Sequence, residues 1–204
     1  MPFDSYTTLS TALSEWEERT YPSARTDEFI ALAEARANRK LRQDFRRRTS
    51  ATVNTDADGV GTLPTGFVGL TSITRSLLGS VPMSQVSWAA MIDRNPYRIG
   101  SEAGVFAISG TSLMVAPVTD DDFTIQFSSI LSGLSSSNVT NWLLALAPDY
   151  YLFGGQAAAS AYEKDYNAAS FLQAQADEIL DDLVSQGNVA EYSSAEMTLN
   201  MVTP

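Results

Sequence analysis

The sequence predicts an α+β protein: N- and C-terminal helices forming a helical bundle around a central antiparallel β segment, with an extended C-terminal tail. Three observations lead there. Near both ends of the chain apolar residues recur at spacings of three and four, the helical period. Between 49 and 130 Thr, Val, Ile, Gly and Ser become frequent and alternation replaces that period. After Gly187 no helical stripe continues. The expected organisation is one domain over 1–187, carrying a β-rich insertion at 49–130, and a tail at 188–204.

Asp4-Ser5 can cap a first helix over 4–18, with Tyr6, Leu9, Leu13 and Trp16 at helical spacing. Thr20-Tyr21-Pro22-Ser23 ends it, because proline disfavours helix in the residue before it. A second helix is expected over 26–47. Thr26 is its N-cap, Asp27 and Glu28 fill the first turn and an arginine cluster the last, and Ile30, Ala33, Ala37, Leu41 and Phe45 form its apolar stripe. In the β segment, 51–55 reads as a strand, 56–61 as a turn and 68–77 as a strand. Residues 104–108 and 112–115 flank Ser109-Gly110-Thr111 as a hairpin, and 123–127 alternates as a strand after a turn at 118–122. The segment 83–91 reads as a short helix leading to the Asn95-Pro96 break, and 131–141, rich in Ser, Gly and Asn, as a loop. Helices follow over 148–162, with many Gly and Ala for close packing, and over 166–185, with Phe171, Leu172, Ala176, Ile179, Leu180 and Leu183 on its apolar side and Gly187 as its stop.

Composition narrows the chemistry. The 204 residues are 44% hydrophobic and 18% charged, ordinary for a chain with a packed core. There is no cysteine and no histidine, which removes disulfides, thiolate metal sites and the commonest general base. No cofactor is expected. No apolar run approaches the ~18 residues needed to span a bilayer, so no membrane partner is expected. Met1-Pro2-Phe3-Asp4 opens without a basic segment followed by an apolar run, so synthesis in a cytoplasm is expected. The net charge of −11 is uneven. Seven of the 13 basic residues, Arg36, Arg39, Lys40, Arg42, Arg46, Arg47 and Arg48, lie close together, and Lys164 is the only basic residue after Arg98.

Each candidate site has a bland counterpart. The 36–48 cluster can bind DNA phosphates, yet it lacks interleaved aromatics apart from Phe45 and no groove-reading motif surrounds it. Its bland reading is a solvated helix end. Asp120-Asp121-Asp122 offers oxygens for a hard cation, but three consecutive carboxylates on a turn converge poorly, and a solvated turn is favoured. Asp149 and Glu163 share only their residue type with an acid–base pair; Asp149 after Pro148 reads as a first-turn helix residue. Asn138-Val139-Thr140 is a chance glycosylation match, and Gly59 and Gly61 lack the Gly-Lys-Thr continuation of a nucleotide loop. Trp142, Tyr150, Tyr151 and Phe153 read as core or subunit interface in preference to base stacking. A carboxylate hydrolase needs a paired-acid cleft, which the sequence does not signal, so no enzyme is expected.

Three stretches in order resemble a known family. They are Tyr6-Thr7-Thr8-Leu9 followed by Phe29-Ile30-Ala31-Leu32-Ala33-Glu34-Ala35-Arg36-Ala37-Asn38-Arg39-Lys40-Leu41-Arg42; then Thr62-Leu63-Pro64-Thr65-Gly66-Phe67; then Asn141-Trp142-Leu143-Leu144 with Ala147-Pro148-Asp149-Tyr150-Tyr151-Leu152-Phe153-Gly154-Gly155. Together they are similar to the tailed-phage head-to-tail adaptors, which include connector subunits and podovirus tail accessory factors. The resemblance implies a structural virion protein of the neck, made in the bacterial host cytoplasm. It implies a homo-oligomeric ring, a dodecamer, that joins the portal to a tail tube or nozzle, with DNA passing through without specific binding. It also implies that the basic cluster meets an acidic surface of a neighbouring subunit or of the portal. The expected partner-binding residues are Arg36, Arg39, Arg42, Arg46 and Arg47, together with Met197, Leu199 and Met201 of the tail, whose alternation with Thr198 and Asn200 suits a strand added to a partner's sheet edge. The alternative is a DNA-binding accessory protein that uses the 36–48 cluster.

Overall fold

The computed structural model describes residues 3–16, 21–41, 45–75, 83–94 and 104–192, with backbone alone at 45 and 190–192. The chain is mixed helix and sheet and forms two compact units, Met1–Arg46 with Leu131–Pro204 and Arg47–Ile130.

The first unit is helical. Helix α1 (Tyr6–Trp16) is capped reciprocally, with Ser5 Oγ accepting from Thr8 N–H at 3.3 Å and Thr8 Oγ1 accepting from Ser5 N–H at 3.0 Å. Helix α2 (Ser23–Lys40) starts three residues earlier than expected, directly after Pro22, and Thr26 is a buried residue of its first turn instead of its cap. It also ends earlier: Leu41 donates to the Ala37 carbonyl, and a 3₁₀ turn (Phe45–Arg47) leads straight into a strand. The arginine cluster therefore straddles an element boundary.

Helices α4 (Trp142–Leu146), α5 (Pro148–Tyr162) and α6 (Tyr166–Tyr192) complete this unit. Asn141 caps α4 by accepting from Leu144 N–H at 2.9 Å. Asp165 opens α6, its carboxylate accepting from Ala168 N–H at 3.1 Å. The core joins Leu9 and Leu13 of α1, Ile30, Ala33 and Ala37 of α2, Leu143 and Leu144 of α4, Tyr150, Tyr151 and Leu152 of α5, and Ala176, Leu180 and Leu183 of α6. Glycines set the approach to α5: a Cβ at Gly155 would lie 2.8 Å from Leu13 Cδ2, and one at Gly154 would lie 3.1 Å from Ala33 Cβ.

Gly187 does not stop α6, which runs on to Tyr192, so residues 188–192, expected as tail, are helical. Gly187 lies four residues after Leu183, on the same buried stripe. Packing there outweighs the ~1 kcal/mol that glycine costs inside a helix. Residues 193–204 lie outside the described residues.

The second unit contains two sheets. Strands β1 (Arg48–Asn54), β7 (Asp122–Ser129) and β3 (Phe67–Arg75) form one, in the order β1-β7-β3 and wholly antiparallel. Strands β2 (Val60–Thr62), β6 (Ser112–Ala116), β5 (Val105–Ser109) and β4 (Ser84–Gln85) form the other, where the β4–β5 pair is parallel, a departure from the all-antiparallel expectation. The expected helix within 83–91 is this short strand followed by α3 (Trp88–Arg94); Asn95 and Pro96 lie outside the described residues. Period-two alternation builds the core. Phe123, Ile125 and Phe127 of β7 join Val53, Ile73, Leu113 and Val115 in one cluster, while Met114 and Ala116 of β6 point the other way, to Ala107 and to Met91 of α3. At the β1–β2 turn Asp56 Oδ1 accepts from Asp58 and Val60 N–H at 2.9 Å, Gly59 adopts φ +67°, and Gly61 lies so close to Val53 that a Cβ would be 2.6 Å from its Cγ1.

Candidate interaction surface

The basic cluster does not present one cationic face. Arg36, on α2, donates from Nε to Asp177 Oδ1 of α6 at 2.7 Å and from Nη2 to Oδ2 of the same carboxylate, a bidentate pair. That bond holds the Asp177 carboxyl below its usual range and raises the guanidinium. One turn on, Lys40 Nζ donates to Asp181 Oδ2 at 2.8 Å and to the Asp177 carbonyl at 3.3 Å. The i,i+4 spacing of the two cations matches that of the two aspartates, so α2 and α6 are laced along a charged seam. Arg36 thus meets an acidic side chain on the chain's own α6. Arg46 donates to the Leu183 carbonyl at 3.4 Å. Arg47 is 3% exposed and donates from Nε to the Ser129 carbonyl at 2.7 Å, so its side chain is not offered to a partner. Arg39 is exposed and makes no ion pair among the described residues. Arg42, Met197, Leu199 and Met201 lie outside those residues.

A buried polar group that the sequence reading passed over anchors the 131–141 loop. Glu34, 7% exposed, accepts from Leu134 N–H at 2.7 Å and from the Tyr151 hydroxyl at 3.2 Å. Burial raises its carboxyl, against the two hydrogen bonds. Asn38 Oδ1 accepts from Leu131 N–H at 2.8 Å, and Asn141 Nδ2 donates to the Ser132 carbonyl and to the Tyr151 oxygen, each at 2.8 Å. The Tyr150 hydroxyl donates to the Ala33 carbonyl at 2.6 Å. Burial raises both tyrosines far above their ordinary value, so they serve as neutral core donors. Trp142 and Phe153 are half-buried against the same core. The signal for Glu34 was present: a glutamate at the i+4 position of the stripe Ile30, Ala33, Ala37, Leu41 sits where an apolar residue belongs.

The acidic candidates resolve separately. Asp149 opens α5 and Glu163 follows its end, so about 14 residues of helix, ~21 Å at 1.5 Å per residue, separate them, beyond any acid–base partnership. Glu163 instead accepts from the Tyr21 hydroxyl at 2.5 Å. Asp121 corrects the expectation of a solvated turn: it is 6% exposed and ion-paired with Arg75 Nε, while Arg75 Nη2 donates to Thr119 Oγ1 at 3.0 Å. Asp122 accepts from Asn54 Nδ2 at 2.6 Å. Among the described residues no group of three or more His, Cys, Asp or Glu is placed to hold a metal, and no helix is long and apolar enough to cross a membrane.

The helical unit instead exposes large apolar side chains: Trp16, Leu32, Tyr162, Tyr166, Phe171 and Val189. Leu32 and Arg39 border a groove of about 390 Å³ between α2, α5 and α6, lined as well by Ala157, Ala161 and Ser170. Such a surface, with no catalytic constellation beside it, suits contact with other proteins. No curated protein matches the chain. A model of the family described as SU10 adaptor protein matches residues 4–199. With nearly its whole length matched, the chain belongs to the SU10 adaptor family, a family of phage head-to-tail adaptors.

Proposed function

We propose that copies of this chain assemble as a ring, a dodecamer, between the portal and the tail, and that DNA passes through the bore without specific binding. The family match across residues 4–199 carries the reading. The exposed apolar side chains of the helical unit support it, because repeated lateral contact needs such surface. The role is structural and calls for no catalytic group. The net charge of −11 suits a bore whose lining repels phosphates and lets DNA slide. Arg39 and the tail residues Met197, Leu199 and Met201 are the proposed contacts with the portal or an adjacent copy.

The alternative, a DNA-binding accessory protein, is weakened by the fate of its cations. Arg36 and Lys40 face aspartates and Arg47 is buried. Negative-stain imaging of the protein mixed with the portal is expected to show a ring of added density on the portal. A protein that stays monomeric and never joins the portal overturns the reading. Retention on DNA that falls steeply with salt would favour the alternative.

A further inference from the structure

Helix α1 carries an apolar stripe that overshoots its own core. Leu9, Ala12 and Leu13 are buried, while Trp16, the next position at helical spacing, is 57% exposed. Trp16 stands in the acidic run Glu15-Trp16-Glu17-Glu18, and Glu15 is exposed, with no hydrogen bond or ion pair among the described residues. Two other exposed apolar residues of the helical unit, Tyr162 and Tyr166, also adjoin a carboxylate, but those carboxylates are engaged. Glu163 accepts from the Tyr21 hydroxyl, and Asp165 accepts from Ala168 N–H at the start of α6. The groove between α2, α5 and α6 has the converse character. Helix α5 lends it Gly154, Ala157, Ala158 and Ala161, whose small side chains let a large one approach closely, and its volume of about 390 Å³ has room for an indole. Of the two arginines that line it, Arg36 is bound to Asp177, whereas Arg39 is exposed and makes no ion pair among the described residues. Gln173 lines it too, and its Nε2 is enclosed without an acceptor among those residues. An unpaired cation and an unmatched donor on an otherwise apolar groove call for an apolar occupant that brings a carboxylate.

We propose that this groove receives Trp16 of a second copy, with Glu15 of that copy on Arg39. Adjacent residues on a helix diverge by about 100°, so with the indole in the groove the carboxylate falls on its rim, where Arg39 stands. The two patches are separate on one unit. Leu13 seats α1 against Gly155 of α5, whereas Gly154, Ala157 and Ala161 of the groove lie at least about 100° around that helix from Gly155. Joining one copy's Trp16 to the next copy's groove is therefore a heterologous contact, of the kind that repeats around a ring. The inference rests on the ring reading above and names its linkage: an aromatic anchor beside a rim charge pair.

Charge exchange tests it. The protein and its variants are titrated onto the portal, with rings scored by negative-stain imaging, and self-association of the free protein is followed by sedimentation. Glu15→Arg and Arg39→Glu each oppose like charges and should raise the concentration needed for assembly about tenfold or more, and the double variant should return it close to that of the parent. Trp16→Ala should raise it about thirtyfold. All three side chains are exposed, so the variants keep their core. Loss from Arg39→Glu alone would mean that the groove takes another acidic segment, of the portal or around Glu196, and overturns the inference. Loss from Glu15→Arg alone, or loss from both without rescue, overturns it as well. Parent rings that neither reversal disturbs overturn the inference and leave the ring reading standing. Self-association in solution with the rescue pattern, but no ring on the portal, does the reverse, and a parent that assembles nowhere overturns both.

Discussion

Among the described residues the helical unit and the β unit each bury one carboxylate, and they compensate it in opposite ways. Asp121, 6% exposed, faces a guanidinium, and Thr55 Oγ1 donates to its carbonyl at 3.2 Å. Glu34, 7% exposed, has no cation beside it among the described residues; a backbone N–H and a tyrosine hydroxyl are its donors. Equal burial thus hides different energetics. Charge is neutralised locally in the β unit, so its pair is costly to break. In the helical unit desolvation is only partly offset, so the site is sensitive to protonation and comparatively tolerant of an uncharged isostere.

The largest expected effect breaks the compensated site. Asp121→Ala leaves the Arg75 guanidinium, 20% exposed, without its counter-ion and should cost on the order of 3 kcal/mol, since removing one partner strands a buried charge. Trp88 is in the β unit, so its fluorescence in a urea titration is the readout. A loss below about 1 kcal/mol would mean that water replaces the carboxylate. Next comes the neutral part of the Glu34 network. Asn141→Ala removes the α4 cap and the donors to Ser132 and Tyr151, at an expected cost of ~1–2 kcal/mol. Trp142, the next residue, reports it.

Why the sequence revealed one carboxylate's setting no better than the other's is a matter of range. Elements governed by local period were legible: α5 was expected over 148–162 and is found there, and the 105–116 hairpin and β7 follow their alternation. Boundaries set by packing were not, as Thr26 and Gly187 show, because burial against distant residues overrode a cap preference and a glycine stop. Partnerships were least legible. Arg36 meets Asp177 and Arg75 meets Asp121, pairs that no window of sequence brings together. The cluster at 36–48 read as one patch because charge was counted along the chain. Folding distributes it among a helix seam, a 3₁₀ turn and a strand.

The exposed seam sharpens the contrast between buried and surface pairing. Arg36 and Asp177 retain 38% and 26% side-chain exposure, so Arg36→Ala should cost no more than about 1 kcal/mol, despite bidentate geometry. A double-mutant cycle with Asp177→Ala measures the coupling. A value near that of Asp121–Arg75 would erase the distinction between the seam and the buried pair.

The smallest change at any one pH, and the one whose sign matters most, is Glu34→Gln. Glutamine keeps an acceptor for Leu134 N–H and the Tyr151 hydroxyl, so the loop's anchoring bonds survive. What it removes is a proton equilibrium. Burial raises the Glu34 carboxyl above its unfolded value, so the folded chain holds that proton more tightly than the unfolded chain does. Stability from this group is then full below the unfolded glutamate pKa of about 4.3 and declines as pH rises through the folded value, after which it is constant. The variant lacks that decline. Its unfolding free energy, measured in urea from about pH 4 to pH 8 and subtracted from that of the parent, should shift progressively in favour of the variant as pH rises and then level off. A difference that is flat across the range would mean that the two hydrogen bonds fully offset burial. A difference drifting the other way would mean that they overcompensate it, and Glu34 would then resemble Asp177, whose carboxyl is lowered by Arg36.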